Sequence, residues 1–242
     1  MNRLMLSVLM ITAACSEYEP RTEDLGPLVD NPPVEEPLVQ VDRTLCVPQP
    51  QVDILFVVDN SCSMSEEQAA LGENFPGFME YFTGSGLDYH IGVVSTDMES
   101  STERGRLRRI NGHNYIDQES ENPILLFQAM ANMGTNGAID EMGRAAAYAT
   151  LELNATLPRN EGFARPDAAL HMVFISDEED QSTNNPSNNE FLEWMANHKE
   201  SPDLVTAHAI VGKPGEVCDA IDSVGTRYLG YASATGGIGF SL

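Results

Sequence analysis

Basic residues are scarce in this 242-residue chain, which has 13 lysines and arginines against 37 aspartates and glutamates. Only two of these bases are lysines, Lys199 and Lys213. The formal net charge of −24 leaves no basic face for a phosphate backbone, so nucleic acid is excluded as a partner. The same charge opposes binding to an anionic membrane surface.

Long apolar runs are missing as well. No run reaches the roughly 18 residues that a membrane-spanning helix needs. The hydrophobic share of 42% and the charged share of 21% are ordinary for globular proteins, which excludes disorder of the whole chain. The length suits one or two domains. The sequence therefore predicts an acidic globular domain.

The first 14 residues have the pattern of an export signal. Arg3 is their only charged side chain, and Leu4–Ile11 form a short apolar core. Two alanines then precede Cys15, an ending that resembles the bacterial lipobox, although Thr12 stands where an aliphatic residue is usual. The resemblance implies that Cys15 is lipidated and becomes the first mature residue. An ordinary secretory signal cleaved nearby is the alternative.

Residues 15–50 have the composition of an extended tether. Residues 16–50 contain seven of the fourteen prolines, eight acidic residues and two arginines. Such a segment buries too little apolar surface to offset the entropy of ordering it. Ser16, which follows the lipobox cysteine, disfavours retention in the inner membrane by resemblance to bacterial lipoproteins. We expect an outer-membrane lipoprotein of the bacterial cell envelope, with its domain in residues 51–242.

Apolar runs typical of buried parallel strands alternate with helical patterns in the remaining chain. The runs are Ile54–Val58, Ile91–Val94, Met172–Ile175 and Val205–Val211. The helical patterns cover about 65–82, 138–153, a segment capped by Ser187, and 228–234. This alternation predicts an α/β, Rossmann-like fold with an open, mostly parallel sheet and helices on both faces.

Oxygen-bearing side chains follow these strands. Asp59, Ser61 and Ser63 come directly after the first run, Asp177 follows the third, and Thr135 lies on a turn before the alanine-rich helix. Ligands of open α/β sheets bind at the carboxyl ends of the strands. Two carboxylates and three hydroxyls suit a hard divalent cation, Mg²⁺ more than a soft transition metal. Helix capping by Asp59 and Ser61 is the alternative.

The Asp-x-Ser-x-Ser pattern, the turn threonine and the later aspartate together resemble the von Willebrand factor type A (VWA) domain. The resemblance covers about residues 50–242 and implies that the five residues form a metal-ion-dependent adhesion site. It implies Mg²⁺, or Ca²⁺ or Mn²⁺, whose open position takes an aspartate or glutamate of a protein ligand. The chain departs from the family at Glu178, where a glycine is frequent, and the final helix of the family fold is missing after a last strand beginning at Ile238.

Three cysteines remain after Cys15 is assigned to lipid. They are Cys46, Cys62 and Cys218, and three pairings exist. A staple between Cys46 and Cys218 would join the two ends of the domain, but the sequence does not choose among the pairings. No histidine lies near Cys62 in the sequence to act as its base, which disfavours nucleophilic catalysis.

These patterns favour a binding protein over an enzyme. The hypothesis is a lipid-anchored envelope protein that captures a protein ligand through its cation and contacts the membrane only through the anchor. A non-adhesive scaffold or accessory factor for an envelope enzyme or secretion complex is the alternative. A metal hydrolase ranks last, because the sequence places no general base beside the metal acids.

Overall fold

Five strands, all parallel, form the centre of the computed structural model, which describes residues 50–183, 186–215 and 221–242. The strands are β1 Gln51–Val58, β2 Asp88–Ser95, β3 Ala169–Ser176, β4 Val205–Val211 and β5 Gly239–Ser241. Their order in the sheet is β2-β1-β3-β4-β5. The predicted Rossmann-like α/β class is confirmed. The described residues all belong to one compact unit.

Helices cover both faces of this sheet. They are α1 Ser65–Ser85, α2 Pro123–Ala131, α3 Gly143–Tyr148, α4 Asn188–Asn197 and α5 Thr226–Ala234. Successive β1 side chains point to opposite faces. Phe56 belongs to the core cluster that includes residues of α1 and α2, whereas Val57 belongs to the cluster that includes residues of α3, α4 and α5. None of the described helices has both the length and the apolar character needed to cross a bilayer.

Two helical segments differ from the sequence prediction. The helix expected over 138–153 begins only at Gly143, because the preceding backbone hydrogen-bonds to other loops. Met142 N donates to the carbonyl of Thr96 (3.2 Å), and Gln181 N donates to the carbonyl of Glu141 (2.6 Å). Helix α2 was not predicted at all.

The capping box before α4 is confirmed. Ser187 Oγ accepts from Glu190 N (3.4 Å), and the Glu190 carboxylate accepts from Ser187 N (2.7 Å). These reciprocal bonds satisfy two backbone donors that a helix start leaves free. The helix therefore begins where the local sequence predicts.

An apolar groove of about 750 Å³ lies open on the face that carries α1. Phe78 and Tyr81 of α1 line one side, and Val173, Ile210 and Phe240 come from the strands. Tyr81 is 70% exposed and Phe240 53% exposed.

Candidate metal centre

Asp59 is fully buried at the carboxyl end of β1. Its Oδ1 accepts a hydrogen bond from Ser61 N (2.7 Å), and its Oδ2 accepts from the hydroxyl of Ser176 (2.6 Å). Its backbone N donates to the carbonyl of Ile175 on β3 (3.0 Å). Asp59 is therefore held by its own loop and by the neighbouring strand, which fixes the carboxylate in one orientation.

The two serines of the Asp-x-Ser-x-Ser loop lie together beside Asp177. A short 3₁₀ turn, Cys62–Met64, brings the hydroxyl oxygens of Ser61 and Ser63 to 3.1 Å from each other. The Ser63 side chain also lies near the Asp177 carboxyl group and lowers its pKa. Four of the five predicted ligands, Asp59, Ser61, Ser63 and Asp177, thus lie at one edge of the sheet.

Asp177 carries a buried oxygen without a partner. The residue is 1% exposed, and among the described residues its Oδ1 takes part in no hydrogen bond. Burial raises the pKa of Asp177 to about 6; the nearby Ser63 side chain opposes this shift and the charge of Asp59 adds to it. The environment therefore disfavours the carboxylate form unless positive charge is added nearby.

The turn with Thr135 is attached to the Asp59 loop by one side chain of α1. Gln68 Nε2 donates to the carbonyls of Asp59 (2.9 Å) and Gly134 (3.0 Å), and Gln68 Oε1 accepts from Met133 N (3.0 Å). Gln68 is 3% exposed. The half-buried Thr135 thus lies on the predicted edge. No hydrogen bond of its hydroxyl is seen among the described residues.

Glu141 is an acidic group that sequence reasoning missed. It is fully buried, and its Oε2 accepts from the hydroxyl of Thr96, which follows β2. Its Oε1 has no hydrogen-bond donor among the described residues, and its carboxyl group lies within hydrogen-bonding reach of that of Asp59. Burial, and next the charge of Asp59, raise the pKa of Glu141 to about 9.

No arginine or lysine of the described residues forms an ion pair with Asp59, Glu141 or Asp177. The adjacent Asp180 differs, because Arg144 Nη1 lies 3.6 Å from its Oδ2. The edge of the sheet after β1 and β3 therefore carries acidic groups with which no base of the described residues is paired.

These residues fit a hard divalent cation. Carboxylate and hydroxyl oxygens are the donors that Mg²⁺ and Ca²⁺ prefer, and the unpartnered Asp177 Oδ1 is free to serve as one. Within the part of the chain that the structure describes, no three His, Cys, Asp or Glu side chains meet closely enough to hold a metal. A cation here would therefore depend on hydroxyls and water for the rest of its shell.

Of the four cysteines, the structure describes only Cys62, which is exposed and free. Cys15, Cys46 and Cys218 lie outside the described residues. The lipidation of Cys15 and the pairing of Cys46 with Cys218 stay predictions.

Comparison with known proteins finds matches among solved structures only. No family model and no curated protein sequence matches the chain. Among solved structures, proximal thread matrix protein 1 from the mussel byssus is similar, with a TM-score of 0.49 and 14% sequence identity. The match covers 80% of this chain and 44% of that one, so the chain spans less than half of that protein's length. The order of the five parallel strands places the chain in the Rossmann-like α/β class.

Proposed function

We propose that this protein is a binding protein of the bacterial cell envelope that captures a protein ligand through a divalent cation at the carboxyl edge of its sheet. The observation that carries the proposal is the buried Asp177 oxygen without a partner, beside Asp59 and without a counter-charge among the described residues. Burying uncompensated carboxylates costs several kcal/mol each. A bound cation would compensate them.

The residues that would hold Mg²⁺, or Ca²⁺ or Mn²⁺, are Asp59, Ser61, Ser63, Thr135 and Asp177. When bound, the cation supplies a positive centre whose remaining coordination position accepts an aspartate or glutamate of the ligand. The chain itself orients the donors. Ser176 fixes the Asp59 carboxylate, and Gln68 holds the turn with Thr135 against the Asp59 loop.

The anchoring part of the proposal depends on the sequence. Lipidation of Cys15 would attach the chain to the outer membrane, and residues 15–50 would let the domain search a volume around that anchor. The support is the Ala-Ala-Cys ending and the acidic, proline-rich composition of the segment. This arrangement suits ligand capture at a surface.

Thermal unfolding of the full chain tests the cation. A ligand that binds only the native state raises the unfolding midpoint, by about 2.7 kcal/mol of stability at a concentration 100 times its Kd. We expect EDTA to lower the midpoint and millimolar Mg²⁺, Ca²⁺ or Mn²⁺ to raise it. Asp59→Ala should abolish the rise, and Asp167→Asn, at an exposed acid, should retain it.

An unchanged unfolding midpoint would contradict the proposed cation site. If no cation shifts the midpoint of a well-folded sample, the acidic edge is structural. The scaffold or accessory function would then replace cation-dependent capture.

A further inference from the structure

We propose that Glu141 is a further charged group of the candidate cation site and gives it a preference for cations of higher charge. The inference rests on the proposed function, because it requires that a cation binds beside Asp59. Neither the Asp-x-Ser-x-Ser pattern nor the two later ligands include this residue. Its position in the structure carries the inference.

Glu141 lies where three loops meet. Its neighbour Met142 donates its N–H to the carbonyl of Thr96, after β2, and the carbonyl of Glu141 accepts from Gln181 N, after β3. The Glu141 side chain reaches the carboxyl group of Asp59, after β1. With backbone bonds on both sides, the side chain is held at the centre of the carboxyl edge.

The contact between Glu141 and Asp59 needs a positive partner or a shared proton. Two carboxylates in contact within a buried site repel each other strongly. The Asp59 oxygens already accept from Ser61 N and the Ser176 hydroxyl, and Glu141 Oε1 has no donor among the described residues. A cation at the edge would compensate both groups together.

The neighbouring bases do not provide that compensation. Arg144 follows Glu141 by three residues, yet its guanidinium pairs with Asp180 and donates to Asn188 and to the carbonyl of Ser182. The positive charge of Arg144 is therefore neutralised by Asp180 and not by Glu141. No base of the described residues is paired with Glu141, and its carboxylate form would act directly on a bound ion.

An effect of the Glu141 charge on Kd should depend on the charge of the bound ion. The attraction between a fixed carboxylate and an ion grows in proportion to the charge of the ion. The lost binding free energy should be in the ratio of the ion charges, two for Ca²⁺ to three for Tb³⁺. If neutralising Glu141 weakens Ca²⁺ binding about tenfold, the same change should therefore weaken Tb³⁺ binding about 30-fold. A purely geometric role would weaken both ions by the same factor.

The experiment measures Kd for Ca²⁺ and for Tb³⁺ by calorimetry on the full chain and its variants. Glu141→Gln keeps the size of the side chain and an oxygen acceptor for Thr96, while removing the charge. We expect it to bind both ions more weakly, with the larger loss for Tb³⁺. Glu161→Gln, at an exposed glutamate, should bind both like the unmodified chain. Glu141→Asp retains the charge and should retain the Tb³⁺ preference.

Several outcomes overturn the inference, and they differ from failure of the proposed function. Binding of both ions by Glu141→Gln as in the unmodified chain would show that the Glu141 carboxyl is neutral and structural. Equal weakening for both ions would refute the charge effect. Loss of the Tb³⁺ preference in Glu141→Asp refutes it even if Glu141→Gln does not fold. If the unmodified chain binds neither ion, the proposed function itself fails.

Discussion

The guanidinium of Arg165 lies 2.8 Å from the buried carboxylate of Asp53, near the start of β1. The same arginine reaches Asp88 on β2 at 2.7 Å. At the other end of β1, Asp59 is equally buried, yet no arginine or lysine of the described residues pairs with it. The strand β1 thus begins near an acid that is paired with an arginine and ends at an acid without such a partner among the described residues. This difference distinguishes a structural ion pair from the candidate cation site.

We expect Arg165→Ala to lower the free energy of unfolding by about 3–5 kcal/mol, because it leaves Asp53 buried without its partner. Urea denaturation of both proteins measures the loss. Arg109→Ala is the matched control, since Arg109 is exposed, and it should change stability by less than about 0.5 kcal/mol. Equal effects of the two substitutions would show that the Arg165 pair contributes no net stability.

Gly137 allows the turn with Thr135 to approach the Asp59 loop. Its N–H donates to the carbonyl of Asn60 (2.9 Å), and a Cβ at this position would lie 2.4 Å from Asn60 Oδ1 and 2.7 Å from its backbone oxygen. Gly137→Ala should therefore displace the turn and reduce the rise in unfolding midpoint caused by cations.

Gly77→Ala is the control for that substitution. Gly77 lies within α1, and a Cβ there would meet nothing within 4 Å. The change should raise stability by about 0.5–1 kcal/mol and leave the cation response intact. A normal cation response in Gly137→Ala would show that the turn does not contribute to the site.

Two strand histidines should make stability depend on pH. His171 Nδ1 lies 3.2 Å from His208 Nε2, and His208 Nδ1 accepts from Ile238 N (3.3 Å). Burial lowers the pKa of both rings, and the neighbouring ring lowers the pKa of His171 further. As the pH falls, the two rings gain protons near pH 6.5 in the unfolded chain but only at lower pH in the folded chain. The contribution of these two histidines to stability should therefore fall as the pH drops below about 6.5, whereas the raised pKa values of Glu141 and Asp177 act in the opposite direction.

Urea denaturation between about pH 7 and pH 5 measures this slope. A double variant, His171→Gln with His208→Gln, should lose less stability on acidification than the unmodified chain, because the two rings whose pKa values are lowered by folding are gone. His113→Gln, at an exposed histidine, should keep the original slope. An unchanged slope in the double variant would contradict the assignment.

Cys62 reports on the candidate site from within its loop. It lies between Ser61 and Ser63 and is exposed and free. We expect a maleimide to label it in the folded chain, and a saturating cation to slow the reaction because the flanking serines become ordered. Mass spectrometry, with Cys62→Ser as the control, locates the label. Absence of native labelling would indicate that Cys62 is paired with Cys46 or Cys218.

The strands could be predicted because a buried parallel strand is a continuous apolar run that needs no tertiary information. Asp59 and Asp177 could be placed at one edge because each directly follows such a run. The start of α3 could not be predicted, because Ala138, Glu141 and Met142 are good helix formers and directly precede an alanine-rich stretch. Distant loops instead take up the backbone hydrogen bonds of Glu141 and Met142.

Glu141 itself shows the limit of sequence reasoning most clearly. In a chain with 37 acidic residues, one glutamate before a helix looks like a solvated side chain. Its burial follows from a contact with Thr96, 45 residues away, and from the approach of Asp59. Neither contact leaves a local pattern. The signal for α2, in contrast, was available in Pro123, since proline is well tolerated in the first turn of a helix.

The central place of β1 has a mechanical consequence. This strand is hydrogen-bonded along its length to β2 on one side and β3 on the other. Its first residue, Gln51, continues the chain from the N-terminal segment, and Asp59 follows its last. A pulling force applied between these two ends would run along the strand axis and load both ladders in shear. Many bonds would then have to break together, so the sheet would resist tension between the two ends of β1 far better than it would resist peeling at β5.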